Sequence, residues 1–128
     1  SMTNFKNNYD LEERTAKFGE QVLEFCRKVK RDPIILPILT QLVRSATSIG
    51  ANYMEANGAS SPKDFSNKIY ISKKESQETK HWLRMLSSYY PEEKEKLRKY
   101  WQEAQEFTLI FHKIVSTIKI KNSLKSEK

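Results

Sequence analysis

The sequence predicts an all-α protein, an antiparallel up-down-up-down four-helix bundle forming a single domain over residues 1–128. Three observations carry this. Four segments repeat apolar residues every three or four positions, and none alternates as a strand would. Only three glycines and four prolines occur in 128 residues, and the prolines fall near the ends of periodic segments. The connections are short, so consecutive helices should lie side by side in opposite directions.

The first helix is expected at about 10–30. Leu11, Thr15, Phe18, Val22, Phe25 and Val29 step by four and three as a heptad seam. Asp10 is placed as its N-cap. The run Arg27, Lys28, Lys30 and Arg31 suits the negative end of a helix dipole, and Asp32-Pro33 breaks the helix. The second helix is expected at about 37–57, with Pro37 in its first turn. Asn57-Gly58 reads as a C-cap, because both residues accept a left-handed backbone.

Ser61, Pro62 and Asp64 mark the start of a third helix at about 62–88, as N-cap, first helical residue and first-turn acid. Its seam is Phe65, Ile69, Ser72, Ser76, Thr79, Leu83 and Leu86. A second stripe holds Ile71, Glu75, Glu78, Trp82, Met85 and Tyr89. Tyr90-Pro91 turns the chain into a fourth helix at about 91–119, with Glu92 and Glu93 at its positive end. Leu97, Trp101, Ala104, Thr108, Phe111, Val115 and Ile118 form its seam, widened by Tyr100, Phe107, Ile110 and Ile114. A basic tail at 120–128 is expected to fray.

Residues 41–86 hold the most unusual pattern. Gln41, Arg44 or Ser45, Ser48, Asn52 and Glu55 recur every three or four residues beside an apolar stripe of Leu39, Leu42, Ala46, Ile49 and Tyr53. A helix with two such stripes is covered from more than one side. The bundle core hides one, so the other should meet a neighbour, and the protein is expected to be a homo-oligomer.

The net charge is +7, with 30% of residues charged. An anionic partner, RNA or DNA, fits that balance. Cys26 is the sole cysteine, so one chain has no disulfide framework, and its place beside the first seam reads as a small buried hydrophobe. No apolar run approaches the length of about 20 residues needed to span a membrane. The N-terminus has no signal-peptide core, Ser1 before Met2 reads as a cloning remnant, and the cytoplasm is the expected location.

Chemistry is hard to find. Residues 78–81 spell Glu-x-x-His, as in di-iron bundles, but those sites need a second such pair and two more inward glutamates. The other histidine, His112, has Leu109 at that spacing. His81 and His112 read as an exposed and a partly buried histidine. Glycine occurs only at positions 19, 50 and 58, which rules out a glycine-rich phosphate loop. No catalytic residue, metal site or cofactor is expected, and the protein does not read as an enzyme.

The central hairpin resembles the family of four helix bundle proteins, also called the 23S ribosomal RNA intervening-sequence proteins. The matching residues are 41–45 (QLVRS), 48–53 (SIGANY) with Glu55-Ala56, Asp64-Phe65, 74–79 (KESQET) and Trp82-Leu83. Arg14, Phe18 and Val22 fit the family's first-helix pattern. Many members have proline where Gly50 stands and Glu-Gly where Glu55-Ala56 stands, which places this chain in a variant branch. The resemblance implies a bundle that assembles into a ring, typically a homopentamer. It also implies kinship with the accessory proteins of diversity-generating retroelements, which work with a reverse transcriptase and are thought to bind nucleic acid.

That architecture gives the polar stripe a physical meaning. With the turn centred near residue 59 or 60, Arg44 should face Glu75 and reach Glu78, which Gln41 also approaches. Buried ions must pair, so Gln41, Arg44, Ser48, Asn52, Glu55, Glu75 and Glu78 are expected to form a buried polar network. It either fixes register between helices or subunits or serves a ligand.

Two functions compete. The first is a non-enzymatic oligomeric nucleic-acid-binding or ribonucleoprotein accessory protein. Its contacts would be Arg27, Lys28, Lys30 and Arg31 with Lys94, Lys96, Arg98 and Lys99 at one end, partly offset by Asp32, Glu92, Glu93 and Glu95. Lys119, Lys121, Lys125 and Lys128 would serve the other end. Because the aromatic residues mostly fall in seams, structured RNA or duplex DNA is favoured over single strands. The alternative is an oligomeric scaffold for another protein, such as a reverse transcriptase.

Overall fold

A computed structural model describes the backbone of residues 2–126 and the side chains of residues 10–125. Among these residues the chain forms helices α1 (Met2–Lys28), α2 (Leu36–Asn57), α3 (Pro62–Tyr89) and α4 (Lys94–Ser126), with a 3-10 turn at Pro91–Glu93 before α4. No strand occurs among them, and the helices form a four-helix bundle. Cross-helix pairs show the directions. Glu55 meets Lys68 and Arg44 meets Glu75, so α2 and α3 run antiparallel. Lys73 meets His112 and Lys80 meets Gln105, so α3 and α4 do too.

Several boundaries differ from the sequence reading. Helix α1 begins well before Asp10, which lies inside it and is not its N-cap. It stops at Lys28, leaving Lys30 and Arg31 in the connection to α2. There Asp32 does more than end a helix. Its Oδ1 accepts the backbone N–H groups of Ile34 and Ile35 at 2.9 and 3.0 Å, satisfying donors at the start of α2. Gly58 has φ −100°, so the end of α2 uses no left-handed residue. Its N–H instead donates to the carbonyls of Met54 and Glu55. Helix α4 continues to Ser126, so Lys119, Lys121 and Lys125 are helical rather than frayed. Lys128 lies outside the described residues. At α3 the expectation holds, with Ser61 Oγ accepting from the backbone N–H of Asp64 at 3.1 Å.

The core is aromatic between α1 and α4 and small between α2 and α3. Phe18 meets Phe107 and Tyr100 edge-on at 5.5 and 6.4 Å between centroids. Phe25 does the same with Tyr90 and Tyr100. Such contacts add to the burial of these rings. Across α2 and α3 the seam contains Ser45, Ser72, Ser76 and Thr79, all fully buried. Cys26 is buried as expected, and that burial pushes its thiol up to about 11. Trp101 departs from its expected seam. It stands 39% exposed, with the ammonium of Lys80 lying 5.3 Å from its ring centroid. Among the described residues no helix is long and apolar enough to cross a membrane.

Candidate functional site

The end of the bundle where α1 finishes and α4 begins gathers Arg27, Lys28, Lys30, Arg31, Lys94, Lys96, Arg98 and Lys99, with Glu24, Asp32, Glu92, Glu93 and Glu95 among them. Two tyrosines hold it together. Tyr90 donates its hydroxyl to the carbonyl of Lys30 while its ring packs on Phe25. Tyr89 donates to Asp32, which helps to hold that carboxyl below its ordinary range. Lys28 and Lys96 line one hollow of about 180 Å³ with Glu24, Glu93 and Tyr100. Arg27 and Lys28 both engage Glu24, at 2.6 and 3.0 Å, and draw its carboxyl down to about 2. Lys30, Arg31, Lys94, Lys96, Arg98 and Lys99 take part in no ion pair among the described residues. At the opposite end Lys119, Lys121 and Lys125 lie exposed along the last turns of α4.

The polar stripe assembles much as the hairpin register predicts. Arg44 pairs with Glu75 at 3.2 Å and Glu78 at 2.5 Å, and its Nε donates to Gln41 at 3.1 Å. Ser48 donates to the carbonyl of Arg44, Asn52 to that of Ser48, and Glu55 pairs with Lys68. The stripe is not buried within one chain, however. The Arg44 side chain is 45% exposed and that of Glu78 36%. Arginine's long reach lets the guanidinium snorkel out over the helix pair, beside rather than within the dry seam.

Glu78 also accepts from Trp82 Nε1, so its carboxylate faces both Arg44 and Trp82. His112 is exposed, not partly buried, because its ring lies at the rim between α3 and α4, with Nδ1 3.1 Å from Lys73 Nζ. Among the described residues no three His, Cys, Asp or Glu side chains gather to hold a metal ion.

Two further surfaces escaped the sequence reading. Between α1 and α2, Ala16, Gly19, Thr47, Gly50 and Ala51 floor an open apolar groove of about 270 Å³, flanked by Leu23 and Met54. Between α3 and α4, Arg84, Ser87, Lys94, Arg98 and Trp101 line another hollow of about 220 Å³. The signal for the second was present. Arg84 and Ser87 on α3, and Lys94, Arg98 and Trp101 on α4, recur at spacings of three and four. Only the register between the two helices was missing.

Comparison with known proteins bears on all of this. No curated protein matches the chain. A crystal structure of a protein with unknown function from the S23 ribosomal protein family of Bacteroides thetaiotaomicron VPI-5482 is similar. It is 28% identical, with a TM-score of 0.74, and the match covers 81% of this chain and 96% of that one. The family described as 23S rRNA-intervening sequence protein matches residues 7–113, nearly the whole bundle, and the chain belongs to that family.

Proposed function

We propose that the protein is a non-enzymatic nucleic-acid-binding accessory factor that works in the cytoplasm as a homo-oligomer, with a pentamer the expected size. One observation carries the nucleic-acid reading. Six cations at one end of the bundle, Lys30, Arg31, Lys94, Lys96, Arg98 and Lys99, have no ion-pair partner among the described residues. Repeated around an assembly, weak phosphate contacts of this kind add through multivalency. Membership of a family named for a ribosomal RNA insert supports the same direction.

A second reading has its own support. The apolar groove between α1 and α2, with Leu23 47% and Met54 63% exposed, favours a protein partner, as a scaffold would have. Titration with structured RNA and with duplex DNA at low and high salt separates the two. The first reading requires binding at low salt that disappears at high salt. Binding to neither of these, nor to a single strand, at low salt would leave the scaffold.

A further inference from the structure

The groove between α3 and α4 is lined from both sides by residues at helical spacing. On α3 these are Arg84 and Ser87, one turn beyond Lys80; on α4 they are Lys94, Arg98 and Trp101. Lys80 fixes the register by lying against the Trp101 ring and donating to Gln105 Oε1 at 2.5 Å. Toward the start of α4 the hollow opens between Arg84, Lys94, Arg98 and Trp101. None of its lining residues is acidic, and the three cations take part in no ion pair among the described residues. An indole 39% exposed stands among these three cations.

An aromatic face beside cations is the combination that takes a nucleobase and its phosphates together. The indole stacks on the base, and guanidinium groups bind phosphate oxygens through paired N–H donors. From Lys94 to Trp101 the stripe covers about 10 Å at about 1.5 Å per residue. That length accommodates one base with the phosphates on either side of it. In a duplex the base faces are stacked on one another, so an indole can engage only an unpaired base.

We propose that the α3–α4 groove is a single-stranded nucleic-acid site, in which Trp101 stacks on an unpaired base while Arg84, Lys94 and Arg98 hold the flanking phosphates. This rests on the nucleic-acid reading above and adds that the strand must be unpaired at this groove. It also departs from the expectation that, with the aromatic residues mostly in seams, structured RNA or duplex DNA is favoured over single strands.

The test compares a short oligouridylate with duplex DNA of equal phosphate count at low salt. Trp101→Ala should weaken single-strand binding about ten-fold, as loss of one base–aromatic stack does. Duplex binding and the light-scattering mass should not change, and Trp101→Phe should recover most of the loss. In a Trp82→Phe background Trp101 is the sole indole, and oligouridylate should quench its emission. Unchanged single-strand binding by Trp101→Ala overturns the proposal. So does a fall in mass together with lost binding, which would make this face a contact between copies. A parent protein that binds duplex alone defeats this site and leaves the broader function standing. One that binds neither nucleic acid defeats both.

Discussion

The hydroxyl of Ser72 on α3 donates to the backbone carbonyl of Ile49 on α2 at 3.1 Å. A side chain as short as serine can reach the facing backbone only when two helices lie close together. The rest of the seam agrees. Thr79 Oγ1 lies 2.9 Å from Ser45 Oγ across the same seam, while Ser76 turns its hydroxyl back to the carbonyl of Ser72 within α3 at 2.8 Å. These hydroxyls are dry yet satisfied, so they carry little desolvation penalty. Their small size sets the approach of α2 to α3, and with it the placing of Arg44 against Glu75 and Glu78.

Enlarging this seam should therefore cost more than removing its hydrogen bond. Ser72→Ala should lose about 1 kcal/mol, because Ile49 keeps its partner within the helix. Ser72→Leu should lose more, about 1–3 kcal/mol above that, since the helices must separate. Urea denaturation of both variants measures the difference. A Ser72→Leu protein as stable as the parent would contradict the close approach.

Two glycines provide a contrast between α1 and α2. A Cβ at Gly19 would lie 3.6 Å from Thr47 Cγ2, an ordinary contact. At Gly50 it would lie 3.0 Å from Thr15 Oγ1 and 3.2 Å from Thr15 Cβ. Thr15 is buried, and its hydroxyl is bonded to the carbonyls of Leu11 and Glu12, so it cannot easily yield. Gly19→Ala should stabilise by about 0.5–1 kcal/mol through helix propensity. Gly50→Ala should gain nothing or lose stability despite the same propensity. Thermal melts of the two variants moving in the same upward direction would refute the reading of Thr15.

The hairpin shows how far the sequence could be read. Ser61, Pro62 and Asp64 are local signals, and the cap they predicted forms. The pairing of Arg44 with Glu75 and Glu78 followed from one turn position and constant helix rise. Exposure did not follow, because it depends on how far each helix is rotated about its axis. Trp101 shares the spacing of Leu97 and Ala104, yet those two are buried while it lies at the rim. Asp32 was read as a break because its capping geometry exists only once the loop is folded. The α3–α4 groove needed the register between those two helices, which the 3-10 turn at Pro91–Glu93 sets only once it is folded.

The Arg44 cluster makes a pH prediction. The Glu78 carboxyl is held below its ordinary value of 4.5, first by the hydrogen bond from Arg44. A depressed folded pKa stabilises the protein above the unfolded value, and that stabilisation is lost as pH falls through the folded one. Arg44→Met should raise the Glu78 titration midpoint in an NMR experiment and flatten the stability loss below about pH 4.5. With Arg44 45% exposed, the cost at neutral pH should be about 1 kcal/mol or less. A loss of about 3–5 kcal/mol would mean that another copy covers the pair in solution, because a buried acid would then be stranded.

The basic end of the bundle makes the last prediction, through the salt dependence of binding rather than its strength. Each neutralised phosphate releases counterions, so log K falls with log salt at a slope near −0.9 per contact on duplex DNA. Lys30 and Arg31 lie in the α1–α2 connection and have no ion-pair partner among the described residues, whereas Lys28 already holds Glu24 at 3.0 Å. Replacing Lys28, Lys30 and Arg31 with glutamine should therefore lessen the slope by about 2 for each engaged subunit, with Lys28 adding little. Affinity should fall for every sequence alike, because phosphate contacts carry no base information. The melting temperature should stay within a degree or two of the parent's, on the order expected when exposed cations are neutralised. A slope that does not change would show that this end never touches the nucleic acid, whatever the affinity does.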